Sequence, residues 1–120
     1  MKLDNLTIDE LISLFASFSE QQYPLTLNDE GRKAAKLIKK RDEINKELRR
    51  RGIAARLELT KLFTHPNIQV RVNAATSSLG VAREPALNVL RQITKEDFGP
   101  FRLDAGMTIA LVEDGTVTPT

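Results

Sequence analysis

The sequence predicts an all-α fold of about six helices arranged in antiparallel pairs. Three observations lead there. Apolar residues recur at spacings of three and four along most of the chain, as one face of a helix requires. Residues 53–80, IAARLELTKLFTHPNIQVRVNAATSSLG, read as two short amphipathic helices joined by a tight turn at His65-Pro66-Asn67. A shift of 31 positions carries VRVNAA (70–75) onto FRLDAG (101–106), Ala55 onto Ala86, Leu59 onto Leu90 and Leu62 onto Ile93. A period near 30 residues is the mark of stacked helix pairs.

The first helix is expected within residues 1–24. Thr7 with Glu10 three residues on is a capping box, and Ile8, Leu11, Ile12, Leu14, Phe15 and Phe18 form its apolar side. It should fray near Tyr23, because Pro24 follows. Leu25 and Leu27 of the short link are expected to tuck under the fold, with Asn28 capping the next helix and Asp29 and Glu30 in its first turn. That second helix runs to Arg51 along the seam Ala34, Leu37, Ile38, Arg41, Ile44, Asn45 and Leu48, and Gly52 ends it. Arg49, Arg50 and Arg51 suit the negative end of its dipole.

The third helix carries Ile53, Leu57, Leu59, Leu62 and Phe63 and stops before Pro66. In the fourth, Ile68, Val72, Ala75 and Leu79 share one face, with Val70 and Ala74 beside them. Asn67 sits at its N-cap, and Gly80 suits a left-handed C′ position. The fifth spans about Arg83 to Lys95, with Pro85 in its first turn and Ala86, Leu87, Leu90 and Ile93 inward. After a Phe98-Gly99-Pro100 turn, the sixth is apolar almost all round (Phe101, Leu103, Ala105, Met107, Ile109, Ala110, Leu111, Val112) and is expected to be the most buried. Gly106 in its middle points to a close helix crossing. The chain thus divides into an N-terminal hairpin (1–52), a well-formed helix pair (53–80), a degenerate second copy (83–112) and a tail (113–120) that caps or extends the end.

The string L-x-x-L-F-x-H-P-N-x-x-V-R-V-N-A-A-x-x-x-L-G resembles a HEAT-like (armadillo-type) repeat, with its hallmarks at Pro66, Val70, Arg71, Ala74, Ala75 and Leu79. With the run from Asp104-Ala105-Gly106-Met107 to Pro119-Thr120, the chain is similar to a family of small bacterial HEAT-like domains of unknown function. The resemblance implies a short right-handed stack of helix pairs, and structural repeat positions at Pro66, Arg71, Arg102, Asp104 and Gly106. It implies no activity.

Length favours one domain. The chain has no Cys, so disulfide and thiolate chemistry are excluded. No apolar run suits a signal sequence or a membrane span, and a cytoplasmic protein is expected. Net charge is +2, but residues 32–51 hold ten bases against three acids. The basic charge is local.

His65 is the only histidine, and with no Cys it has no partners for a zinc set. It reads as a turn residue satisfying late helix carbonyls. Asp9-Glu10, Asp29-Glu30, Glu96-Asp97 and Glu113-Asp114 all lie near helix ends, where capping suffices. Neither an enzyme nor a cofactor is expected. Arg71, Arg102 and Asp104 read as polar links between repeats, so Arg71→Ala and Asp104→Ala should each lower the melting temperature. Lys36, Lys39, Lys40, Lys46, Arg50 and Arg51 lie largely off the apolar seam and are the candidate contacts to a partner or to phosphates. Asp42, Glu43 and Glu47 are interleaved among them, which favours a solvated face or a contact with an acidic protein over phosphate binding. The expected function is a non-catalytic protein-interaction module with an unidentified protein partner. The alternative is a nucleic-acid-associated protein using the basic helix. Arg41 and Asn45 in the seam leave a homodimer through helix two open.

Overall fold

The computed structural model describes residues 2–97 and 99–120. Phe98 of the expected Phe98-Gly99-Pro100 turn lies outside them. Six helices follow in order: α1 (Ile8–Leu27), α2 (Gly31–Arg51), α3 (Ile53–Leu57) continued by a 3₁₀ segment (Glu58–Thr64), α4 (Ile68–Ser78), α5 (Arg83–Glu96) and α6 (Pro100–Glu113). There is no strand among the described residues.

Short links make antiparallel pairs. α1 lies on α2, the 3₁₀ segment on α4, and α5 on α6. α4 also touches α1, α5 and α6, so it is the element the others share. Its faces serve two cores. Val70 and Ala74 join Leu11, Phe15, Ile44, Leu48, Leu59 and Leu62 in the first. Val72, Ala75 and Leu79 join Ala86, Leu87, Leu90, Ile93, Phe101 and Val112 in the second. Alanine at positions 74 and 75 keeps the helix slim enough for neighbours on both sides.

Local signals start these helices where expected. Thr7 and Glu10 form the capping box, with Glu10 N–H donating to Thr7 Oγ1 (3.1 Å) and Thr7 N–H to Glu10 Oε1 (3.0 Å). Asn67 Oδ1 accepts the amides of Gln69 (2.8 Å) and Val70 (3.3 Å). Gly52, at φ 112°, separates α2 from α3 in a conformation that favours glycine.

Elsewhere tertiary contacts override the local reading. α1 runs through Pro24 to Leu27. Pro24 is exposed, and the turn around it is anchored on both sides. Tyr23 stacks on Phe101, with centroids 5.8 Å apart, and the Thr26 hydroxyl donates to Gln69 Oε1 at 2.6 Å. Asn28 is therefore the C-cap of α1, and Asp29 and Glu30 precede α2 rather than opening it. Leu25 is only half-buried and Leu27 is exposed, because the link is helix and turns outward. Beyond Leu57 the chain tightens to 3₁₀ geometry, which changes the phase of its apolar face. Leu59 and Leu62 stay inside, while Ile53 (66% exposed) and Leu57 (38%) do not.

Two glycines and one helix also correct the sequence reading. Gly80 is not left-handed. Its reason is proximity: a Cβ there would sit 2.2 Å from the carbonyl carbon of Thr120. Gly106 is crossed by nothing, since a Cβ there would meet no atom within 4 Å. α6 is not the most buried helix, because it closes the stack with nothing beyond it. Phe101, Ala105 and Val112 are inside, but Leu103 is 68% and Met107 57% exposed.

These contacts predict opposite outcomes for one substitution. Gly106→Ala should stabilise dilute protein by about 0.5–1 kcal/mol, through helix propensity alone. Gly80→Ala should destabilise by about 1–3 kcal/mol and free the tail, because the methyl overpacks a filled site. Denaturant unfolding, with hydrogen exchange at Val117, reads both.

Candidate interaction surfaces

The basic face of α2 divides into two parts. Lys36, Lys39, Lys40 and Lys46 are exposed, and Lys40 Nζ lies 5.6 Å from the Phe18 ring centre. Arg50 and Arg51 are tied up by Glu47. Arg50 donates through Nε (2.9 Å) and Nη2 (2.6 Å), and Arg51 through Nε (2.7 Å). Arg51 Nη2 also donates to the carbonyls of Leu3 (2.9 Å) and Asp4 (3.3 Å), which fastens the N-terminal segment to α2. The two guanidiniums hold the Glu47 carboxyl down at about 2.

Between α2 and α6 runs a polar groove floored by α4. Asn73 Nδ2 donates to Ser19 Oγ (2.9 Å) and Gln22 Oε1 (3.0 Å), and Gln69 Nε2 donates to Asn73 Oδ1 (3.0 Å). This chain satisfies the buried amides of α4 and ties them to α1. On the α2 wall, Arg41 Nη1 donates to Gln22 Oε1 (3.3 Å), Arg41 Nη2 stands 3.6 Å from Asp42, and the buried Nε has no partner. Asn45 Nδ2 donates to Ser77 Oγ (3.0 Å). Both polar residues of the α2 seam thus bond within the chain.

Asp104 stands on the opposite wall. Partial desolvation pushes its carboxyl above the usual range, although the residue is exposed and Arg41 opposes the shift. Across the groove it faces Arg41 of α2. Arg71 does link neighbouring pairs, but its partner is Glu96 of α5. The backbone amides of Gly99 and Arg102 donate to Asp97 Oδ2 (3.1 and 3.2 Å), which anchors the start of α6. Pro66 is exposed in the turn before α4. His65 Nδ1 accepts the Asn67 amide (3.0 Å) and Nε2 lies 3.3 Å from Glu20, so its ring serves the turn and α1 instead of helix carbonyls.

The groove opens at one end into a mainly apolar cavity of about 330 Å³, lined by Leu48, Leu59, Leu79, Leu111 and Val112 and flanked by the tail. Arg56, almost fully buried, donates through Nη1 to the Thr120 carbonyl (2.8 Å), and Arg49 Nη1 donates to Thr120 Oγ1 (3.3 Å). Burial lowers the Arg56 guanidinium below its ordinary value. Sequence reasoning missed Arg56. Its partner lies 64 positions away, and nothing near it in the chain marks it.

The third surface is α6 itself. Leu103, Gly106, Met107, Ala110 and Leu111 share the face opposite the buried Phe101, Ala105 and Val112. Leu103, Met107, Ala110 and Leu111 are all exposed. Gly106 and Ala110 lower the surface beside Leu103 and Met107 into a shallow hollow. Among the described residues no cluster of His, Asp or Glu is placed to hold a metal ion, and no helix is long and apolar enough to cross a membrane.

Fold and surfaces together define a small all-helical domain whose open features are a polar groove and an uncovered apolar helix face. The model of a domain of unknown function (DUF2019) matches residues 9–113, and the chain belongs to that family. It is similar throughout to the crystal structure of the protein RPA1889 from Rhodopseudomonas palustris CGA009. The TM-score is 0.94 at 34% identity, covering 100% of this chain and 99% of that one. No curated protein matches the sequence.

The Glu47 cluster predicts an acid-side effect on stability. Its folded value, about 2, lies below the ordinary 4.5. A depressed carboxylate stabilises above its unfolded value, and that contribution is lost as pH falls from about 4.5 toward about 2. Melting curves of Glu47→Gln should therefore differ most from wild type at neutral pH and converge with it below that window.

Proposed function

We propose that this protein is a cytoplasmic, non-catalytic interaction module, in which three helix pairs stack as a short HEAT-like array and the C-terminal pair receives a protein partner. The observation that carries the reading is the outer face of α6. Leu103 at 68% and Met107 at 57% exposure stand beside Ala110 and Leu111 on one contiguous surface. Large apolar side chains gathered on one face of a small domain mark a site that another protein covers. The groove supports the same reading. Its Arg41 and Asp104 offer opposite charges at the edge of the apolar face, and charges at an interface rim set partner choice.

Arg50 and Arg51, engaged by Glu47, leave Lys36, Lys39, Lys40 and Lys46 as the cationic stripe. No exposed aromatic accompanies that stripe on α2, whereas single-strand binders stack bases on aromatic rings. The protein-partner reading is the better supported of the two.

Affinity capture with three baits separates them. Leu103→Glu combined with Met107→Glu should abolish partner retention with the helical circular dichroism unchanged. Lys36→Glu with Lys39→Glu and Lys46→Glu should retain it, with or without nuclease. The converse pattern, with nucleic acid lost on charge reversal, would sink the proposal.

A further inference from the structure

Resting on the interaction reading, we propose that the partner on α6 is a second copy of this chain, docked about a two-fold axis with the two α6 helices antiparallel. The internal register carries the argument. The 31-position shift takes Val72, Ala75 and Leu79 of α4 onto Leu103, Gly106 and Ala110 of α6. The α4 residues are buried in the second core, because the α5/α6 pair covers them. The α6 residues are the same face one helix pair later, where the chain supplies no cover.

The two ends of the stack differ, and the difference selects the symmetry. The exposed side of the α1/α2 pair carries Lys33, Lys36, Lys39 and Lys40. A charged end of this kind suits solvent and caps a helix stack. Seating it on the α6 face would bury lysine ammonium groups against the apolar Leu103 and Met107. Head-to-tail growth is thereby disfavoured, and like must meet like. A closed two-fold contact uses one self-complementary patch.

Charge on α6 fits that arrangement. Arg102 and Glu113 lie roughly three turns apart on the same flank of the exposed face. In an antiparallel two-fold pair, that flank meets its own copy with the ends exchanged. Arg102 of one chain then faces Glu113 of the other, and the contact occurs twice. Glu113 already accepts Arg91 Nη2 at 2.8 Å, and a carboxylate has room for a second guanidinium. Met107 falls near the axis, Leu103 toward the second copy's Leu111, and Gly106 toward its Ala110. The hollow beside Gly106 and Ala110 receives the opposing side chains.

Sedimentation velocity across a wide concentration range tests this on the intact chain. Wild type should pass from monomer to dimer as concentration rises. Met107→Glu should raise the dissociation constant by about 100-fold or more, as expected for a charge forced into an apolar contact. Arg102→Glu and Glu113→Arg should each weaken the dimer about tenfold, and the double reversal should restore it. Wild type that stays monomeric throughout, or a dimer indifferent to Met107→Glu, overturns the self-pairing. A photo-crosslinking residue at position 107, activated in cells, keeps that failure separate from failure of the interaction reading. Adducts to a different protein alone refute self-pairing and leave the module reading standing. No adduct, with a monomeric wild type, refutes both.

Discussion

Everything in this fold depends on α4 being buried on two sides at once. A helix packed from both sides leaves few polar groups to solvent, so the buried ones need partners inside. The chain Ser19–Asn73–Gln69–Thr26 supplies those partners, and all four residues lie on α1 or α4. Val70 and Ala74 then fill one core, and Val72, Ala75 and Leu79 the other. Replacing Asn73 by an apolar residue would strand Gln69 and Ser19, whereas truncating Val72 would open a cavity in the second core alone. The α1/α2 hairpin and the α5/α6 hairpin barely need each other. Each leans on α4, and the Tyr23–Phe101 stack is one of the few points where they meet directly.

This dependence sets which surfaces of the fold stay open. α2 and α6 both flank α4 but stay apart, which leaves the groove between them. Its walls hold Arg41, whose buried Nε has no hydrogen-bond partner, and Asp104, whose carboxyl is raised by partial desolvation. The tail, fixed to Arg56 and packed on Gly80, closes the apolar end of the same groove. α6 completes the second core with one face only, and its other face stays apolar. Uncovered apolar area of that kind costs solubility, and the proposed contact on α6 would offset that cost.

Local chemistry was legible in the sequence, and global closure was not. The Thr7–Glu10 box, the Asn67 cap and the inward face of α5 (Ala86, Leu87, Leu90, Ile93) are set by residues within a turn or two of each other, and all are present in the structure. α6 misled because an all-round apolar helix reads as buried whether or not anything covers its far side. Gly80 has the position of a helix terminator, but its constraint comes from Thr120 at the other end of the chain. Pro24 should stop α1 on local grounds. It does not, because Tyr23 and Thr26 are held by α6 and α4. Of the groove, Arg41 and Asn45 were visible as breaks in the α2 seam, while Arg56 and the cavity arise only when distant segments meet.

In the proposed assembly α6 turns an apolar face to solvent in the free chain and covers it by association. The sequence contains two methionines, and one of them, Met107, lies on that face. Methyl-labelled methionine with a soluble paramagnetic probe therefore reads the claim in one experiment. Strong broadening of the Met107 methyl is expected in dilute protein, with progressive protection as concentration rises. A methyl shielded in the monomeric protein would contradict it, because the face would then be covered by the chain's own fold.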